Sequence, residues 1–67
     1  MGGNMKYKIV ETTDHQHIGM TVDIDLNSLP TTINIGDDVL GVEGSRQMST
    51  DTWKIFNANY IALIREV

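Results

Sequence analysis

The residues best equipped for chemistry stand together in Asp14-His15-Gln16-His17. On a strand, His15 and His17 would share a face, because alternate side chains point the same way. Two imidazoles facing together, with Asp14 as a third donor, form a set suited to Zn or Ni. The chain has no cysteine to complete such a set, and spacing identifies no fourth ligand. A polar loop running into a strand explains the same residues without an ion, so no metal site is expected and metal binding through His15 and His17 stays an alternative.

Asp23-Ile24-Asp25-Leu26-Asn27-Ser28 sets oxygen donors at alternate positions, as a calcium loop begins. The pattern then breaks, with Ser28 at the tight-turn glycine and Asn34 at the bidentate glutamate. These acids read instead as the wet side of a strand, where charge discourages edge pairing. Asp37 and Asp38, beside Gly36, are accounted for by a turn. A carboxylate pair does acid–base work only where a pocket drives its two pKa values apart, and nothing in this chain implies such a pocket. Ser45, Ser49 and His17 supply a nucleophile and a base on paper, with no elbow or oxyanion motif around them. No enzyme and no cofactor is expected.

Sixty-seven residues make one small domain with a thin core, the kind that disulfides, a metal or self-association usually supports. The absence of cysteine removes the first of these and is compatible with a cytoplasmic home. Nine acids against five bases give a net charge of −4, and Lys6, Lys8, Arg46, Lys54 and Arg65 are scattered along the chain. That disfavours nucleic acid as a partner, since phosphate backbones are held by clustered cations. No apolar run reaches membrane-spanning length, and the N-terminus lacks a signal pattern. Met1-Gly2-Gly3 resembles a myristoylation start, but Lys6 replaces the required hydroxyl residue. Residues 1–4 therefore read as a disordered leader, with Met5 as an alternative start.

The elements follow from periodicity. Ile18, Met20, Val22, Ile24 and Leu26 alternate with Gly19, Thr21, Asp23 and Asp25, which predicts a half-buried central strand. Met5 to Glu11 alternates likewise, with Lys6 and Lys8 on the wet side, and predicts an edge strand. Thr12 to Gln16 joins the two as a hairpin turn. Pro30 is placed outside the sheet interior, because it lacks an N–H. Ile33 and Ile35 lead into a Gly36-Asp37 turn, and Val39, Leu40 and Val42 into a strand that Gly41 marks for a bulge. Glu43 to Asp51 is a polar loop with room for a short strand at Arg46 to Met48.

Thr52 to Val67 admits two readings. As strands, Trp53 and Ile55 alternate with polar neighbours, Asn57-Ala58-Asn59 makes a corner, and Tyr60 to Val67 closes the sheet. As a helix, Trp53, Phe56, Tyr60, Leu63, Ile64 and Val67 form a stripe behind an Asp51 cap. The asparagines and β-branched residues favour strands.

From Ile33 onward, INIGDDVLGVEG followed by WKIFNANYIALIREV resembles small SH3-like or Sm-like barrels: a Gly-Asp turn feeding a strand, then strand, one-turn corner and closing strand. The resemblance spans residues 33–67, its motifs are generic, and no functional residue carries over. It implies five short bent strands and a tendency to assemble or to bind on loops. The expected protein is thus mostly β, residues 5–67 forming a small five-stranded SH3-like barrel or strongly curved antiparallel sheet. The alternative is an α+β fold, with a C-terminal helix over a three-stranded sheet. The expected function is a non-enzymatic interaction or assembly module, a homo-oligomer or partner of another protein. Trp53, Phe56 and Tyr60 are its interface anchors. A nucleic-acid-binding barrel using Lys6, Lys8, Lys54 and the aromatics is the competing reading.

Overall fold

The structure, a computed structural model, describes residues 3–67. Its strands are β1 (Met5–Thr12), β2 (Thr21–Ile24), β3 (Thr31–Ile35), β4 (Asp38–Val42), β5 (Gly44–Gln47), β6 (Thr52–Phe56) and β7 (Ile61–Glu66), and a single 3-10 turn, His15–His17, separates β1 from β2. The protein is mostly β, and no α-helix occurs among the described residues. Five strands form one antiparallel sheet in the order β2-β1-β7-β6-β5, and β3 pairs with β4 as a separate hairpin. The five-stranded sheet does not close into a barrel, for β2 and β5 are its two ends.

The helical alternative for Thr52 to Val67 does not form. This segment is β6 and β7, turned at residues 57–59, where the Asn57 N–H donates to the Tyr60 carbonyl and Asn57 Oδ1 accepts from the Asn59 N–H at 2.7 Å. Ile55, which would leave the apolar stripe of a helix, is completely buried as a strand residue.

Two positions in the sheet correct the sequence reading. Ile18 to Leu26 predicts the central strand, but only Thr21–Ile24 is strand, and it lies at the sheet's end; Ile18 is 46 % exposed in the loop before it. The centre is β7, and β1 is an interior strand rather than an edge. A period of two reports which side of a strand is dry, not how many neighbours it has. The bulge is also elsewhere. Gly41 pairs in register with Thr32, whereas β1 slips between Ile9 and Glu11 against β7. Without that extra residue Glu11 would follow Tyr7 and Ile9 into the core. With it, Glu11 turns outward, and Thr12 turns inward to donate from Oγ1 to the Ile61 carbonyl at 2.9 Å.

Ile33, Ile35 and Val42 of the hairpin pack on Tyr7, Ile9, Val22, Ile24, Ile55, Ala62 and Ile64 of the sheet, forming one cluster. Its largest fully buried side chains are isoleucines and valines, stiff β-branched residues suited to a pleated surface. The hairpin turns at Gly36-Asp37 between Ile35 and Asp38. Gly36 has φ +62, which the turn takes most easily with glycine; a Cβ there would stand 2.7 Å from Met20 Cε, the free end of a flexible side chain that would have to shift. Pro30 lies in the link before β3. Of the leader expected at residues 1–4, the first two lie outside the described residues, and Gly3 and Asn4 carry no regular secondary structure. No helix among the described residues is long and apolar enough to cross a membrane.

Candidate functional site

With the hairpin covering one side of the sheet, every strand turns its alternate residues to the other. The register fixes which they are. Lys8 of β1 faces Arg65 of β7, which faces Thr52 of β6. One row along, Glu11, Leu63, Lys54 and Arg46 follow one another across β1, β7, β6 and β5. The next row holds Ile61, Phe56 and Gly44, and Lys6 pairs with Asp23 of β2. All five cations of the chain therefore share the outer face. They are out of phase with the buried Tyr7, Ile9, Ile55, Ala62 and Ile64.

Within the strands only Glu11 and Asp23 are acids in phase with the outer face, so the strands carry +3 there, and the other seven acids bring the chain to −4. One of these, Asp51 just before β6, has its pKa lowered by hydrogen bonds with Thr52 and Ser49, and the charge of nearby Arg65 helps. Two like-charged pairs, Lys8–Arg65 and Arg46–Lys54, stand directly opposite across neighbouring strands, an arrangement that costs roughly 0.2–1 kcal/mol per pair. Among the described residues no Lys or Arg forms an ion pair; the recorded salt bridges both belong to His17. At the β5 end Ser45, Arg46, Lys54, Phe56, Asn57 and Ile61 line a shallow groove of about 460 Å³. A Cβ at Gly44 would lie 2.7 Å from Phe56 Cζ, so the tip of the Phe56 ring fills the place a side chain would take on β5.

The three expected anchors separate. Phe56 alone reaches the outer face. Trp53 turns inward, edge-on to Tyr7 with centroids 5.6 Å apart, and Tyr60 is 8 % exposed.

Tyr60 belongs instead to a second cluster. Asp14 caps the 3-10 turn, its Oδ1 accepting the Gln16 N–H at 3.1 Å, and the turn carries His17 inward to 6 % exposure. His17 Nδ1 lies 2.9 Å from Tyr60 Oη and Nε2 2.9 Å from Asp38 Oδ2, with Asp14 Oδ2 at 3.5 Å. A carboxylate only accepts, so Nε2 bears the hydrogen; in neutral imidazole Nδ1 then accepts from the Tyr60 hydroxyl. Burial holds the Tyr60 phenol above its usual 10.0, opposed by a hydrogen bond with the Thr12 hydroxyl and reinforced by the charge of Asp14. His15 does not share the face of His17: in a 3-10 turn the two diverge, one exposed and one buried. The donor set that assembles is Asp14, His17 and Asp38, with ligand atoms within 4.8 Å of one another, close enough to hold a divalent cation. The same atoms satisfy one another as a strut joining turn, hairpin and sheet, and no buried side-chain nitrogen or oxygen lacks a partner among the described residues.

Neither serine meets this imidazole. Ser49 donates its hydroxyl to Asp51 Oδ1 at 3.1 Å, and Ser45 lies on β5 opposite Ile55. Arg46 and Arg65 are the residues that linear reading missed on the outer face; their parity relative to buried neighbours was the available signal. Asp38 had none, because it reads as a turn residue and lies 21 positions from His17. In comparisons with protein families, curated proteins and solved structures, nothing matches the chain.

Proposed function

We propose that the protein is a non-enzymatic interaction module that holds an anionic polymer on the outer face of its five-stranded sheet. One observation carries this reading: an acidic chain gathers all five of its cations on one face, and among the described residues none of them is within ion-pair distance of an acid. Like charges set side by side are unfavourable alone and favourable with an anion between them. Asp37 and Asp38 sit on the hairpin, across the core from this face. The molecule measures 31 × 21 × 20 Å, and charges are screened within ~8 Å at physiological salt, so a partner at the outer face responds to the local +3 more than to the net −4. The absence of cysteine suits a cytoplasmic setting, where no disulfide is needed.

Titration calorimetry with long-chain inorganic polyphosphate at low salt tests the reading. The parent protein should bind and the double variant R46E/K54E should not; a parent that gives no heat and no binding removes it.

Self-association is the second reading, favoured by β5. Among the described residues that strand pairs only with β6, so its outer edge offers backbone groups to another strand. Phe56 lies beside it, and Met48, just past its end, is 52 % exposed. Face-to-face pairing would oppose +3 with +3, so the contact expected is edge to edge. Light scattering coupled to size exclusion should then give a defined dimer, and a strict monomer at tens of micromolar rejects it.

A further inference from the structure

We infer that the anionic polymer is a single-stranded nucleic acid, with a base laid against Phe56 and its phosphates on Arg46, Lys54, Arg65 and Lys8. This rests on the reading proposed above and names its partner. The argument comes from the order of the rows. Phe56 and Ile61 make an apolar shelf at one end of the outer face. The pair Arg46–Lys54 occupies the next row and Lys8–Arg65 the row after, displaced by one strand or more toward β1. Lys6 lies further along β1. A ligand following this diagonal meets an apolar platform first and two pairs of positive charges after it.

Phe56 is a platform because of Gly44. The glycine leaves the space into which the ring tip extends, so the ring spans the last two strands in the groove with Arg46 and Lys54. Base–aromatic stacking beside cations that track a backbone is how single strands are bound without sequence preference. An acidic peptide supplies carboxylates but no regular planar group for the ring. A duplex keeps its bases stacked inside and offers only phosphates. Asn57 is tied into its own corner, its Nδ2 donating to the Gly41 carbonyl at 2.7 Å and its Oδ1 accepting from Asn59, and stacking on an aromatic ring accepts every base. The site is therefore expected to tolerate any sequence.

The test is fluorescence anisotropy with a labelled single-stranded DNA of ~12 nucleotides and mixed sequence, within the range one small domain covers. Four phosphate contacts predict that raising salt from ~50 to ~200 mM weakens binding ~50-fold. R46E/K54E should abolish binding at the higher salt. An oligomer of the same length with abasic sites throughout should bind ~10-fold more weakly, as should Phe56→Ala. The abasic comparison uses the unaltered protein, so it stands even if Phe56→Ala fails to fold. Equal affinity for the abasic strand, for the matching duplex or for polyglutamate would overturn the nucleic-acid assignment while leaving the anionic face intact. No binding to any of these, nor to polyphosphate, would overturn both.

Discussion

Tyr60→Phe removes one oxygen from the strut between the two layers. The ring stays in the core, where Tyr60 is 8 % exposed, but His17 Nδ1 loses its partner at 2.9 Å. A buried nitrogen left without a hydrogen bond costs ~1–3 kcal/mol, against a total stability of roughly 3–10 kcal/mol for a chain of this length. An unfolding entropy of ~2.1 cal/mol/K per residue amounts to ~140 cal/mol/K over the whole chain, so each kcal/mol lowers Tm by ~7 °C. Calorimetry should thus show a fall of ~7–20 °C. Asp38→Asn is the control. The Asp38 side chain is 68 % exposed, and an amide oxygen still accepts from Nε2, so its loss should stay below ~1 kcal/mol. Both partners act through one imidazole, so the double variant should depart from additivity by more than ~0.5 kcal/mol. A Tyr60→Phe protein melting within ~3 °C of the parent, with an additive double variant, would refute the idea that this cluster is a strut.

Three further outcomes are expected. Tyr7 and Tyr60 are both held above the ordinary phenol value of 10.0, burial being the main cause in each, with Glu66 and Asp25 adding at Tyr7. The fold therefore prefers their protonated forms. That stability is complete below about pH 10 and is lost as pH rises through the folded-state values. Phenolate absorbance should grow together with loss of near-ultraviolet circular dichroism, and tyrosines that titrate normally in an intact fold would contradict this. Gly36→Ala meets both a left-handed φ and the Met20 side chain, and should destabilise by ~1–3 kcal/mol in denaturant unfolding; a neutral result would mean that the turn relaxes freely. Chelator should leave Tm unchanged, because Asp14, His17 and Asp38 are satisfied by hydrogen bonds; a chelator-dependent Tm would make them a metal centre.

Much of the fold was legible locally. The Gly36-Asp37 turn, the strands on either side of it and the corner at Asn57-Ala58-Asn59 all occur where residue types placed them, since turn chemistry acts over two or three residues. Strand order was not legible. Ile18 to Leu26 had the cleanest alternation and became the sheet's end, while the less regular β7 became its centre, because neighbours are chosen by packing between distant segments. The candidate sites divide in the same way. Asp14 and His17 were visible as a local cluster. Asp38 and Tyr60 joined them only through the approach of β4 and the start of β7 to the 3-10 turn.

The sequence by itself determined the mostly β class, the net charge, the absence of disulfides and the parity of each cation within its strand. Parity is a local property, for successive side chains alternate whatever the strand's neighbours are. Only the tertiary structure decided that five alternating patterns would be laid side by side with their wet sides in common, turning scattered Lys6, Lys8, Arg46, Lys54 and Arg65 into one face. The reason is the single core. Four strands of the sheet, β1, β2, β6 and β7, bury apolar residues in the core they share with the hairpin, β5 follows by its pairing with β6, and whatever alternates with the buried residues is forced onto the opposite surface.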